Sequence, residues 1–507
     1  MVGKACYIGV DIGLTSAKAA AFDSGGAELF TVRADNPRVA VSIDRQEIDM
    51  VGLWDVVSRV LSELTVCLAS HDFQPRGIGV TGHGNGLYAV DNNLRPVRPA
   101  IASTDNRAEE IVARTTAKDI EAERLRTGSV PWAGQPSVLL AWLAESEPES
   151  FAATAWVLSC KDWITTCLTG TPTADLSDAS GCGLVNLSLR EYDPTVFERL
   201  GLPARTIDKL PRLRASDEIA GSVTAKAAER TGLPKGLPVI AGCMDCIASP
   251  IGAGSTQEKD VTIIVGTWAI NSVVVPTMMA PPNVTLNALL PEQGLMLAQE
   301  DAPTSAANLE WLSGVVTTTV DHVVTPRNLL EAAENAPAGS EGLIFLPFVH
   351  GAPGQRGASG TLLGAKGLHT HAHLARAVAE GVAQYHRVQL ETMKSSGMIL
   401  TGGPWTLAGG GARNPLWAQI FADVIQHPVR RQLGTELGAR GVASLVYGAL
   451  GGNAADWLYE TNDSLLVHPS ENVDRYSEQA RVFDSVLSNM GRVWENLLQS
   501  DGARRDL

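Results

Sequence analysis

Long apolar runs are missing from this chain. No stretch reaches the roughly 18 to 20 consecutive apolar residues that a membrane-spanning helix requires. The first residues hold no secretory apolar core, because Asp11 and Lys18 interrupt it, so a cytoplasmic protein with no membrane partner is expected. Positive charge is scarce too: 40 Lys and Arg stand against 55 Asp and Glu, a formal net charge of −15. That balance argues against nucleic acid or an anionic lipid surface as partner. Cysteines are few and odd in number, seven in all, and Cys243 and Cys246 form the only Cys-x-x-Cys. With no βαβ redox context and no second metal-like pair, they read as structural thiols. What the composition does supply is bulk, since 507 residues with 45% hydrophobic and 19% charged side chains can bury two cores and predict more than one domain.

Three glycine-bearing turns carry the chemical signal. Near the N-terminus an apolar strand, Tyr7-Ile8-Gly9-Val10-Asp11-Ile12, runs into Gly13-Leu14-Thr15-Ser16-Ala17-Lys18 and a second apolar strand. Gly13 lets the backbone approach a ligand, Thr15, Ser16 and Lys18 offer donors to phosphate oxygens, and Asp11 can hold Mg²⁺ through its water shell. An ordinary hairpin would need the glycines but not these four polar residues together. The same device recurs at Val261 to Val265, then Gly266-Thr267, then Trp268 to Val275. Gly266 follows Gly13 by 266 − 13 = 253 positions, half of the 507-residue chain, which suggests duplicated halves facing each other. A third cluster, Gly409-Gly410-Gly411-Ala412-Arg413-Asn414, precedes a helical pattern; it can meet a flat ring, with Asn414 either capping the helix or meeting a nucleotide. Between the first two turns lies Asp245, after the apolar run Leu237 to Ala241. It reads either as a helix N-cap or as a base facing a phosphate.

With these segments in place the chain resembles the FGGY family of carbohydrate kinases, over about Tyr7 to Ala449. Asp11 to Lys18 looks like that family's first phosphate motif, Gly266-Thr267 like its second, and Gly410, Gly411, Ala412 and Asn414 like its adenosine loop. Lys161-Asp162-Trp163 through Leu168-Thr169-Gly170 and Ala179-Ser180-Gly181 match the middle of its first domain. The resemblance implies an α/β fold of two ribonuclease-H-like, actin-like ATPase domains facing a central cleft. Residues 1–250 would form the sugar-binding domain and 251–507 the nucleotide-binding domain. It further implies ATP as phosphoryl donor with Mg²⁺ held near Asp11 and Asp245, Asp245 as general base, and Gly13, Thr15, Ser16, Lys18, Gly266 and Thr267 on the nucleotide phosphates. A homodimer is a possible assembly.

The substrate segments depart from many family members, because Gly82-His83-Gly84-Asn85-Gly86 has Gly84 where a long side chain is usual. His83, Gly84, Asn85, Asp105 and Gln135, with Asp245, are the candidate sugar contacts. The pattern looks most like the L-xylulose and 3-keto-L-gulonate kinase branch, with erythritol or another polyol as alternative substrate. An actin-like or Hsp70-like nucleotide switch is the reading from another class. Trp268 reads either as pocket floor or as core. His369, His371 and His373 resemble a metal cluster but do not share one helical face, so they read as capping or solvated residues. Strands are expected near 6–10, 16–22, 28–33, 77–81, 261–265, 268–275 and 343–346. Helices are expected near 50–70, 107–115, 136–145, 371–394, 416–426, 436–450 and 475–499.

Overall fold

The computed structural model of the protein describes the chain apart from residues 1–2, 38, 41–44, 278–283, 319–322, 353–354, 356, 399, 401, 435, 458–464 and 506–507. Two seven-stranded sheets organise it. In the first, β1 (Lys4–Ile12), β2 (Ser16–Phe22) and β3 (Glu28–Asp35) form an antiparallel meander. On the other side of β1 lies β4 (Phe73–Gly82), parallel to it. Beyond it come β5 (Ile219–Ser222) and β6 (Pro238–Ile240), with β6 parallel to β4 and β7 (Cys243–Met244) also pairing β4. The alternation of β1 places Ile8, Val10 and Ile12 in a fully buried core, and the small side chains of Ala19 and Ala21 on β2 join them. Helix α1 (Met50–Ser70) covers this face: Asp49 caps it by accepting the Val51 and Gly52 N–H groups, and Leu53, Val57, Leu61, Leu64 and Leu68 recur at helical spacing on its buried side. The remaining helices of this half used below are α2 (Pro136–Ser146), α3 (Cys160–Thr169), α4 (Leu176–Gly181) and α5 (Asp245–Gly252).

The second sheet repeats the plan. β8 (Val261–Val265) and β9 (Ala269–Pro276) are antiparallel, and β11 (Leu295–Ala302) continues the meander with β10 (Leu286–Leu289) outside it. β12 (Trp405–Ala408) and β13 (Val429–Arg431) then lie parallel on the far side of β8, ending at β14 (Leu466–Val467). Meander, then parallel strands beyond its first member, is the ribonuclease-H-like order in both sheets. Gly13 and Gly266 therefore occupy the same turn in each, as the 253-residue spacing suggested. Helices α6 (His371–Ser395), α7 (Pro415–Ile425), α8 (Leu437–Ala449) and α9 (Val473–Arg505) complete the chain. The expected segments hold within a few residues, although the expected helix 107–115 shortens to Glu109–Arg114. No described helix is long and apolar enough to cross a membrane.

Helix α8 belongs to the second half by sequence but packs on the first sheet. A methyl group on Gly9 would come 1.9 Å from the Ala439 carbonyl, one on Gly79 2.7 Å from Val442, and one on Gly77 2.6 Å from Val446. Three strand glycines thus form a groove that admits the helix at backbone distance. The helix has glycines of its own: a methyl on Gly441 would meet the Ala248 carbonyl of α5 at 1.9 Å, and one on Gly252 of α5 would meet the Leu437 carbonyl at 2.0 Å. Arg440 fixes the junction by donating to the Gly252 carbonyl at 2.7 Å and to those of Gly26 and Trp457.

Two substitutions in α8 separate this packing from helix propensity. Gly441→Ala is expected to lose upwards of ~2 kcal/mol, because backbone of α5 cannot retreat from the added carbon. Nothing lies within 4 Å of the equivalent position on Gly448. Gly448→Ala should gain about 0.5–1 kcal/mol from the backbone freedom removed. Denaturant unfolding midpoints of the two variants would show it; shifts of the same sign would remove the close-packing account.

Candidate active site

Asp245 is the first residue of α5, directly after β7, and Met244 stands opposite Gly82 at the carboxyl end of β4. Asp11 lies opposite Thr81 on the same strand and opposite Lys18 on β2. Both carboxylates therefore sit at the carboxyl end of the first sheet, where α/β folds present ligands. The N-cap residue of α5 is Met244, and Asp245 is already its first helical residue, which removes the reading of Asp245 as the cap. Burial pushes its carboxyl up to about 8, with the charges of Asp11, Asp178 and Asp301 adding to the effect and the Cys246 N–H opposing it. Asp11 is pushed up to about 6, again chiefly by burial, with Lys18 lowering and Glu436 raising it. The Asp11 carboxylate lies against the first turn of α8, where a methyl on Gly438 would come within 2.8 Å.

The phosphate-type residues divide by exposure. Thr15 and Thr267 are exposed at the two hairpin turns, and Gly13 and Gly266 face ordinary or open space, whereas Ser16 is buried as the first residue of β2. The turns are held by their neighbours: Asn36 Nδ2 donates to the Gly13 carbonyl at 2.7 Å, and Ala306 N–H to the Gly266 carbonyl at 2.8 Å. Lys18 does not stand free, because its ammonium pairs with Glu436 Oε2 at 2.9 Å. Strand pairing of Ile264 with Ala408 sets the third glycine cluster beside the second hairpin. Within it Gly409 and Gly411 press on Val265, Ala412 is buried, and only Gly410 has open space around it. Asn414 caps α7 by accepting the Trp417 N–H at 2.9 Å, and Arg431 braces the turn from the Ala412 carbonyl at 2.7 Å.

Backbone contacts gather the substrate segments. Gly86 N–H donates to the Gly134 carbonyl at 2.8 Å, and a methyl on Gly134 would come 2.0 Å from the Ser103 carbonyl. His83 N–H donates to the Ile12 carbonyl at 2.9 Å, and its Nε2 shares a 3.1 Å hydrogen bond with the Tyr88 hydroxyl. Asn85 adopts the left-handed region at φ 61°, donates its N–H to Cys182 Sγ at 3.2 Å, and keeps a buried Oδ1 with no hydrogen-bond partner. Two expected sugar contacts are otherwise engaged. Asp105 is fully buried, accepting Arg107 at 2.8 and 2.9 Å and the Gln46 N–H at 2.7 Å; Gln135 is buried against Ser129 at 2.7 Å.

Some determinants escaped the sequence reading. Gly84 does not open a gap: a methyl there would meet Met244 Cε at 1.8 Å, so Met244 already fills the space. Trp268 is 48% exposed beside the hairpin turn rather than packed in a core. His373 and His369 act as caps, accepting the Thr370 and Lys366 N–H groups through Nδ1 at 3.2 and 3.0 Å. Among the described residues no group of three or more His, Cys, Asp or Glu could hold a metal ion. Lys161, read only as a motif residue, is fully buried and salt-bridged to Asp162 at 2.5 Å and Asp175 at 2.7 Å. Asp175 in turn accepts the Ser177 hydroxyl at 2.6 Å, and the Ser177 oxygen accepts the Met244 N–H at 3.3 Å, which anchors the residue before Asp245.

Two raised carboxylates stand at the carboxyl end of the first sheet, whose first hairpin turn at Gly13 recurs at Gly266 in the second, and comparison with known proteins identifies the fold. The FGGY carbohydrate kinase N-terminal domain matches residues 6–252 and the C-terminal domain residues 261–450. The chain belongs to the FGGY family of carbohydrate kinases. It is similar to the L-xylulose/3-keto-L-gulonate kinase of Escherichia coli strain K12, 33% identical over 82% of this chain and 83% of that protein. It is similar also to a probable L-xylulose kinase of Pasteurella multocida, 31% identical over 92% and 94% of the two chains. A xylulose kinase structure from Rhodospirillum rubrum superposes with a TM-score of 0.85 at 28% identity, covering 97% of this chain and 100% of that one. The protein is a sugar kinase with the two-domain α/β fold of this family.

Raised carboxyl groups also predict a stability signature. An ordinary carboxyl in the unfolded chain ionises near pH 4, whereas Asp245 in the fold holds its proton to about 8. The folded state binds the extra proton between those limits, so this site removes stability progressively as pH rises through that window and no further above it. Asp245→Asn should therefore raise the melting midpoint by on the order of 1–2 °C at pH 8, with the gain shrinking toward pH 5. A gain independent of pH, read by scanning calorimetry, would contradict the assigned environment.

Proposed function

We propose that the protein transfers the γ-phosphoryl group of ATP to a hydroxyl of a small linear ketose of the L-xylulose or 3-keto-L-gulonate type, or of a related polyol such as erythritol. The names of its relatives and the glycine hairpins support the donor and acceptor classes. The observation that carries the mechanism is a carboxylate, Asp245, standing after β7 at the same end of the first sheet as Asp11, with Met244 before it packed on Gly84 next to Asn85 in the chain. In this reading residues 1–250 bind the sugar and residues 251–507 the nucleotide.

Phosphoryl transfer leaves the protein little covalent work, so positioning and charge compensation supply most of the catalysis. Asp245 takes the proton of the attacking hydroxyl; a raised carboxyl is suited to that task near neutral pH. Thr15 and Thr267 offer turn hydroxyls and Gly13 and Gly266 offer close backbone to the phosphates, Gly410 faces the purine, and Asn85 and His83 orient the sugar. Asp105 and Gln135 act by holding their loops. Lys18 reaches phosphate by exchanging Glu436 for it. Asp245 has no cation among the causes that set its carboxyl, and Asp11 has only Lys18, which is paired with Glu436; two such carboxylates would suit a hard divalent ion. Mg²⁺ bound there would neutralise charge on the β- and γ-phosphates.

The test is ADP release over a panel of ketopentoses, ketohexonates, tetritols and glycerol. Asp245→Asn should lower kcat by at least ~10²-fold while nucleotide affinity stays within a few-fold. Near-normal turnover would remove Asp245 from the mechanism. The best ketose or tetritol should exceed glycerol in kcat/KM by at least ~10²-fold, because buried polar groups go unpaired when a short substrate leaves them empty. Asn85→Ala should narrow that ratio by about 1–3 kcal/mol equivalent. An equal effect of Asn85→Ala on every substrate would place the residue outside the pocket.

A further inference from the structure

A single buried cation stands behind two parts of the acceptor site. Lys161, in the first turn of α3, is fully buried, and a methyl on Gly82 at the end of β4 would come 3.5 Å from its backbone nitrogen. Its ammonium pairs with Asp162 at 2.5 Å, Asp175 at 2.7 Å and Asp178 at 3.8 Å. Burial alone would lower its pKa, but the charges of Asp162, Asp175 and Asp178 outweigh that and hold it well above the ordinary lysine value, so the group stays charged. Two chains of hydrogen bonds leave this cluster along α4. In the first, Asp175 turns Oδ1 to the ammonium and Oδ2 to the Ser177 hydroxyl at 2.6 Å, and the Ser177 oxygen accepts the Met244 N–H at 3.3 Å, one residue before Asp245. In the second, Asp178 turns Oδ2 to the ammonium and Oδ1 to the Cys182 thiol at 3.3 Å, and Cys182 Sγ accepts the Asn85 N–H at 3.2 Å. Each carboxylate thus has one oxygen on the cation and one on a relay. Asn85, Asp162, Asp178 and Cys182 border one cavity, so the second arm is continuous in space as well as in bonding. Asn85 holds a φ of 61°, uncommon outside glycine, and its buried Oδ1 has no hydrogen-bond partner, which leaves the backbone bond to Cys182 as a fixed point of this turn.

We propose that Lys161 is a positioning residue for the acceptor site, setting through separate carboxylate arms the backbone that carries Asp245 and the backbone of Asn85. The inference rests on the kinase reading above for the roles of Asp245 and Asn85 and adds what holds them in register. Lys161 acts through its carboxylates and is not a catalytic residue. Misplacing a reacting group by about 1 Å can cost on the order of 10²-fold in rate, even when the change lies far from the chemistry. A buried charge with one arm on the base and another on the sugar segment can therefore act on kcat and on the sugar KM by different routes. The Asp175 arm is the tighter of the two, since Asp178 meets the ammonium as a charge contact without a hydrogen bond.

Steady-state kinetics with L-xylulose and ATP separate the arms. Ser177→Ala, which deletes the hydroxyl between Asp175 and Met244, should lower kcat at least ~5-fold with the sugar KM within ~2-fold. Cys182→Ala should raise the sugar KM at least ~5-fold with kcat within ~3-fold. Both should leave the ATP KM within ~2-fold. Lys161→Met should show both changes together, and adding Ser177→Ala or Cys182→Ala to it should then cost little more, because residues acting through one network are not additive. Fully additive effects overturn the inference. So do single variants that change kcat, the sugar KM and the ATP KM alike, since a merely structural role would do that. Where Lys161→Met yields no folded protein, Asp178→Asn takes its place, because it leaves the ammonium paired with Asp162 and Asp175: a raised sugar KM alone upholds the inference and an unchanged one overturns it. Amide hydrogen exchange reads the positioning apart from turnover. In Lys161→Met or Asp178→Asn the Asn85 N–H should exchange at least ~10-fold faster while amides of β8 keep their rates. That result upholds the inference even where wild type does not phosphorylate L-xylulose, an outcome that defeats only the substrate reading; unchanged protection of Asn85 overturns it.

Discussion

Backbone-to-backbone packing of α8 against β1, β4 and α5 is the constraint on which the rest of the architecture depends. Gly9, Gly77 and Gly79 line the sheet side, Gly441 and Gly252 the helix crossing, and each would clash with a neighbour if it carried a side chain. The contact brings Gly438 onto the Asp11 carboxylate and delivers Glu436 to Lys18. Both halves of the chain thereby contribute to a site that lies on the first sheet. A bulkier interface would hold the helix farther out and detach these polar contacts from one another.

The electrostatics follow from that compression. Asp11 and Asp245 share the end of one sheet, and burial above all holds their protons above the ordinary carboxylate range, with the charge of Asp11 adding at Asp245 and that of Glu436 at Asp11. Nearby lysines are neutralised within their own pairs, Lys18 by Glu436 and Lys161 by Asp162 and Asp175. The hydrogen bonds from Asp175 through Ser177 to the Met244 backbone anchor the residue before Asp245.

Local signals were legible in the sequence, and long-range ones were not. The turns at Gly13 and Gly266, the duplicated strand order and the helices with strong apolar periodicity all depend on neighbours a few residues apart, and they fall where expected. Asp245 could be singled out because a lone carboxylate follows an apolar strand. The filling of the Gly84 site by Met244 joins residues 160 positions apart (244 − 84), and nothing near Gly84 announces it. The Lys18–Glu436 pair spans the two halves and is equally silent. Asp105 showed its residue type but not its fate, since the same carboxylate suits a sugar hydroxyl or the guanidinium two residues on. Trp268 was ambiguous because an aromatic flanked by strand residues is usually core; its place at a hairpin turn exposes it.

The grooved face of the first sheet has a consequence for how the molecule is made. Strands β1 to β7 and helix α5 have all been synthesised once residue 252 is added, yet the helix that seals their glycine face ends at Ala449, 449 − 252 = 197 residues later. At about 5–20 residues per second that interval lasts roughly 10–40 s. Through it the nascent N-terminal half holds Gly9, Gly77 and Gly79 open, a surface shaped for a helix that does not yet exist. Translation thus completes the first core almost last, and the order of synthesis runs opposite to the order in which this sheet could close.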